Sequence, residues 1–74
     1  MTPEEIAKLT AFLQRKFQLT TIEVRKRPMK SDSCEVFIGD EFVGLMYRDD
    51  EDDDDLSYSF SMAILDFDLE DDEA

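Results

Sequence analysis

Apolar positions along this chain recur first at helical and then at strand spacing. Ile6, Leu9, Leu13 and Phe17 fall on one stripe at three- and four-residue intervals, with Phe12 at its flank, while Lys8, Gln14 and Arg15 point away. Start signals precede the stripe. Thr2 can cap, Pro3 suits the first helical position, Glu5 completes a capping box, and Met1 can pack on Ile6 as a hydrophobic staple. The pattern predicts a helix from Pro3 to about Phe17, apolar on one side only, so it must lie on another layer.

Strand periodicity follows. Thr20 to Arg27 alternates, with Ile22 and Val24 on one face and Glu23, Arg25 and Arg27 on the other, until Pro28 ends the run. Met29 to Ser33 is a polar connection. Cys34 to Ile38 and Glu41 to Arg48 are β-rich and separated by Gly39-Asp40, a two-residue hairpin signal. A tight turn there sets Phe37 opposite Phe42 and Val36 opposite Val43. One face then carries Cys34, Val36, Ile38, Val43, Leu45 and Tyr47, the expected helix-facing core. The other carries Glu35, Phe37, Phe42, Gly44 and Met46. A slip of one residue would exchange the partners' faces.

Leu56, Tyr58, Phe60 and Met62 alternate with Ser57, Ser59 and Ser61, the cleanest strand pattern in the chain. After Ala63-Ile64 the phase moves to Leu65, Phe67 and Leu69, spaced by Asp66 and Asp68, which implies a bulge or corner and then a short extra strand or docked tail. The expected class is α+β: one N-terminal amphipathic helix packed on one face of an antiparallel four-stranded meander, five-stranded if the last segment joins. Residues 1–69 form a single domain by this reading, with 70–74 a frayed acidic tail.

Composition sharpens the picture. At 74 residues the core is small, and a domain of this size buries only about 60% of its unfolded surface. The usual supports are disulfides, a metal or oligomerisation. Cys34 is the lone cysteine and there is no histidine, so neither a disulfide within the chain nor a closed zinc shell can form. Self-association therefore rises as an explanation, with a well-packed monomer as the alternative. No stretch approaches the roughly 20 apolar residues of a membrane span, and the start lacks a secretory apolar region. A cytoplasmic setting is the expectation.

Net charge is −12, unevenly spread. Residues 1–30 hold seven Lys/Arg against three Glu, whereas residues 31–74 hold Arg48 against seventeen acids. That split favours internal neutralisation or attraction between copies and disfavours general nucleic-acid binding.

Candidate chemistry is sparse. The run Asp49, Asp50, Glu51, Asp52, Asp53, Asp54 and Asp55 clusters carboxylates as a Ca²⁺ or Mg²⁺ loop would, but lacks the glycine and twelfth-position glutamate of an EF-hand. A solvated loop is the plainer account, and a docking site for a basic partner the functional alternative. Cys34, inward on a strand and without a base, behaves as apolar filler. Without histidine no Ser-His-Asp or Cys-His constellation exists, and two glycines cannot build a phosphate loop. No enzyme activity, no cofactor and no metal site are expected.

The outward sheet face is the candidate interaction surface, carrying Arg25, Arg27, Phe37, Phe42 and Met46. Arginines and aromatics on an open sheet are the groups that bind single-stranded RNA by stacking, but the acidic loop would repel phosphates. Burial by a tail or a second subunit is preferred. The basic cluster Arg25-Lys26-Arg27 with Lys30 reads as partners for nearby acids.

Thr2-Pro3-Glu4-Glu5-Ile6, Glu35 to Gly44, and Tyr58 to Leu69 resemble a family of short alphaproteobacterial proteins of unknown function. The resemblance spans nearly the whole chain and implies a bacterial cytoplasmic protein with no assigned activity. The expected role is a non-enzymatic interaction or self-association module, as a homodimer or with a protein partner. The alternatives are an acidic adaptor that mimics nucleic acid toward a basic partner and, more weakly, a single-stranded nucleic-acid binder.

Overall fold

Thr2 and Glu5 start the first helix as the chain's order dictates. Thr2 Oγ1 accepts from the Glu5 N–H at 3.1 Å, and Glu5 Oε1 accepts from the Thr2 N–H at 2.9 Å. The computed structural model describes residues 1–51 and 55–70. Helix α1 spans Pro3–Phe17 and stops at Gln18, which takes a left-handed conformation at φ 54°. Along its stripe Leu13 is buried, Met1, Ile6 and Leu9 pack against the core, and Phe12 and Phe17 remain about half exposed.

Four strands follow: β1 (Ile22–Lys26), β2 (Ser33–Ile38), β3 (Glu41–Asp49) and β4 (Ser57–Ser61). They form one antiparallel meander in the order β1-β2-β3-β4, so the α+β class holds. Gly39, at φ 63°, makes the two-residue turn between β2 and β3, a conformation glycine adopts without steric cost.

The hairpin register departs from the alternation expected of it. Phe37 does pair with Phe42, but Val36 pairs with Gly44, leaving Val43 as an extra residue in β3. A bulge of one residue inverts the facing of everything beyond it. Cys34 therefore lies opposite Met46, and Met46 is core at 3% exposure rather than part of the outward face. Leu45 and Tyr47, expected inward, turn out, with Tyr47 exposed. Gly44 suits this place because a Cβ there would meet the Phe60 ring at 2.8 Å and the Ser61 carbonyl closer still.

Leu13, Ile22, Val24, Cys34, Val36 and Met46 make the core. The helix sits off-centre over it, packing chiefly on β1. Thr10 Oγ1 accepts from the Val24 N–H at 3.0 Å, and Gln14 Nε2 donates to the Thr20 and Ile22 carbonyls at 3.2 and 3.1 Å. Side chains of α1 thus satisfy backbone groups that a lone edge strand would leave open.

Beyond Ser61 the chain forms neither a fifth strand nor a docked tail. Residues 62–65 leave the sheet and Asp66–Leu69 makes one helical turn, α2, with the Asp68 carboxylate accepting from the Leu65 N–H at 2.9 Å. Without a neighbouring strand, this local capping bond decides the conformation. Ile64, Leu65, Phe67 and Leu69 are 60–74% exposed. Of the tail expected to fray, 70–74, all but Glu70 lies outside the described residues. Among the described residues no helix is long and apolar enough to cross a membrane.

Candidate interaction surfaces

The outward sheet face brings Arg25, Phe37 and Phe42 together. The Arg25 guanidinium carbon stands 4.1 Å from the Phe37 ring centroid, and Phe37 meets Phe42 edge-on at 5.8 Å. Arg25 also pairs with Glu23 and, at 3.0 Å, with Asp40. The Asp40 hydrogen bond, then that of Glu23, pushes the guanidinium pKa up. Its charge is therefore met within the fold. Arg27 Nη1 donates to Ser33 Oγ at 3.1 Å across the same face. Met46 does not belong there, and Leu45 and Tyr47 take its place.

In the acidic run, Asp49, Asp50, Glu51 and Asp55 are exposed. Asp49 Oδ1 accepts from the Glu51 N–H at 3.3 Å, and Asp50 Oδ2 lies 3.5 Å from Arg48 Nε. Asp52, Asp53 and Asp54, the rest of the candidate docking loop, lie outside the described residues. Among the described residues no three His, Cys, Asp or Glu side chains gather in a way that could hold a metal ion. Cys34 is buried, and that burial pushes its thiol pKa up, away from the reactive thiolate.

The inner face holds a feature that the alternation pattern did not reveal. Because α1 leans toward β1, the β3–β4 half of this face is only partly covered. A hollow of about 330 Å³ opens between Leu9, Phe12 and Leu13 on the helix and Met46, Tyr58 and Phe60 on the strands. Past Phe60 lies a second hollow of about 200 Å³, bordered by Phe17 and Leu19 at the end of the helix and by Ile22, Ile38, Val43 and Met62. Together they form an apolar groove. Lys8, Phe12 and Lys16 follow one another at four-residue steps and so share one row of the helix, while Arg15 lies 5.5 Å over the Phe12 ring. Cations thus border the helical wall.

Glu5 is tied to the groove through Tyr58. Its Oε2 accepts from the Tyr58 hydroxyl at 2.7 Å and pairs with Arg48 Nη1 at 3.2 Å. The Thr2 backbone bond first, then the Tyr58 bond and the Arg48 charge, hold the Glu5 carboxyl below its ordinary value. The same bond to Glu5 raises the Tyr58 pKa.

A geometric signal for this groove was present in the chain. An α-helix with its side chains is about 10 Å across, and strands sit about 4.8 Å apart. One helix cannot roof four strands. What the pattern could not say was which half stays open, because that depends on Thr10 and Gln14 bonding to the edge of β1.

These features define a class: a single helix laid over one half of an open, four-stranded antiparallel meander. The chain belongs to a protein family of unknown function, DUF3126, whose profile matches residues 5–68. No match was found among curated proteins or among solved structures.

Proposed function

We propose that this chain is a non-catalytic protein-interaction module that takes an apolar segment flanked by acidic residues into the groove between α1 and β4. The observation that carries this reading is the groove itself, an unroofed continuation of the hydrophobic core bordered by Lys8, Arg15 and Lys16. Exposed apolar surface on a domain this small is a cost in water unless a partner covers it. The cations favour a segment that carries negative charge. The outward sheet face is the weaker candidate, since Arg25 is already neutralised by Glu23 and Asp40. An alphaproteobacterial cytoplasm, as the family resemblance implies, is the setting this reading assumes.

The test is chemical-shift mapping with a synthetic peptide in which Leu and Phe alternate with Asp. Saturable shifts at Leu9, Leu13 and Met46, with Leu45 on the outer face unmoved, support the reading. Absence of shifts, or shifts centred on Phe37 and Phe42, overturns it.

A further inference from the structure

The two edges of the sheet are treated differently. On β1 the outer Ile22 carbonyl and Val24 N–H are engaged by Gln14 and Thr10. On β4 the outer edge meets no further strand among the described residues. An open edge beside an apolar groove is the arrangement by which an extended segment adds to a sheet, the backbone bonding along the edge and alternate side chains filling the groove.

The chain carries a segment of that chemistry. Leu65-Asp66-Phe67-Asp68-Leu69 alternates at strand period and has the same five-residue length as β4. In the monomer it is a single helical turn with its three apolar side chains exposed. One turn has little stability of its own, because helix nucleation costs more than a first hydrogen bond returns. Charge agrees as well. With Leu65, Phe67 and Leu69 turned to the groove, Asp66, Asp68 and Glu70 lie on the outer face, where the residues beside them on β4 are serines rather than acids, so no like charges oppose the pairing.

We infer that the occupant of the groove is a second copy of this chain, whose Leu65–Leu69 segment pairs along the free edge of β4 and seats Leu65, Phe67 and Leu69 beside Phe12, Tyr58 and Phe60. This rests on the groove being a binding site. Insertion into the chain's own groove would require Met62-Ala63-Ile64 to form a tight hairpin. That sequence has no Gly, Asn or Asp for the left-handed positions such loops use. Exchange between copies removes the need for the turn. Reciprocal exchange closes a two-fold dimer in which each groove is filled.

Sedimentation of the full chain at high micromolar concentration tests the inference, using two surface variants. Phe12→Asp alters the groove, and Phe67→Asp with Leu69→Asp alters the segment; all three positions are exposed. The wild type sediments as a dimer, and each variant self-associates roughly tenfold or more weakly. An equimolar mixture of the two regains a heterodimer, because one chain keeps a working groove and the other a working segment. A monomeric wild type, a dimer indifferent to both variants, or a mixture that stays monomeric overturns the inference. If the wild type is monomeric while the Leu/Phe–Asp peptide still shifts Leu9, Leu13 and Met46, the second-copy inference alone fails. If the peptide does nothing either, the groove reading fails with it.

Discussion

Tyr58 donates a 2.7 Å hydrogen bond to Glu5, joining the last strand of the sheet to the first turn of the helix across 53 residues of sequence. The same carboxylate caps α1 through the Thr2 N–H and pairs with Arg48, the residue opposite Tyr58 in the β3–β4 ladder. One side chain thus starts the helix and sets where the strands lie beneath it.

Removing either partner should therefore cost more than a surface hydrogen bond. Glu5→Ala loses the cap and both strand contacts, for an expected destabilisation of about 2 kcal/mol. Tyr58→Phe should cost about 1 kcal/mol. Urea unfolding of the two single variants and the double variant gives their coupling. Strict additivity would show that the two groups do not interact in solution.

Acid should weaken the same contact. The Glu5 pKa is lowered by folding, so its contribution is fully present above the ordinary value of 4.5 and is lost as pH falls through the folded value. Glu5→Gln should be less stable than wild type at neutral pH, with the gap closing below about pH 4.5. The Tyr58 hydroxyl shifts the other way. Its contribution is present below its ordinary 10.0 and is lost as pH rises through the raised value, so alkali should also release β4. Stability curves at stepped pH test both signs.

Met46 and Tyr47 provide a direct test of the bulge. Met46→Ala empties a core site and should cost about 2–4 kcal/mol, whereas Tyr47→Ala on the outer face should cost about 1 kcal/mol or less. The reverse order in denaturant midpoints would mean that β3 pairs without an extra residue at Val43.

Gly44 is held by the approach of β4. In Gly44→Ala the new methyl would press on the Ser61 carbonyl and stand 2.8 Å from the Phe60 ring. Backbone must move to relieve it, so the expected loss is about 1–3 kcal/mol. Amide exchange should quicken at Ser59 and Ser61 before it does in β1.

Helix α1 was legible to its ends because its signals are local: a capping box, a proline at the first turn and an apolar stripe all lie within Thr2–Phe17. The Gly39-Asp40 turn and the Phe37–Phe42 pair were legible for the same reason. Beyond Val43 the strand pattern misled. Val43, Leu45 and Tyr47 alternate as plausibly as Gly44 and Met46, and only the competition for space beside Phe60 and Ser61 selects the bulged register. The candidate site moved with it. Met46 left the outward face, Arg25 proved to be paired with Glu23 and Asp40, and the inner face showed an apolar groove that the pattern had not indicated.

Residue order along the chain by itself determined α1, the four strands and their meander, the small core and the separation of basic residues 1–30 from an acidic remainder. Periodicity, caps and turns act over a few residues and need no distant partner. Tertiary structure decided the register of β3, the tilt of α1 onto the edge of β1, and therefore which half of the sheet stays open. Those outcomes depend on contacts between distant residues, Val24 with Thr10, Gly44 with Ser61 and Tyr58 with Glu5, and no local pattern contains them.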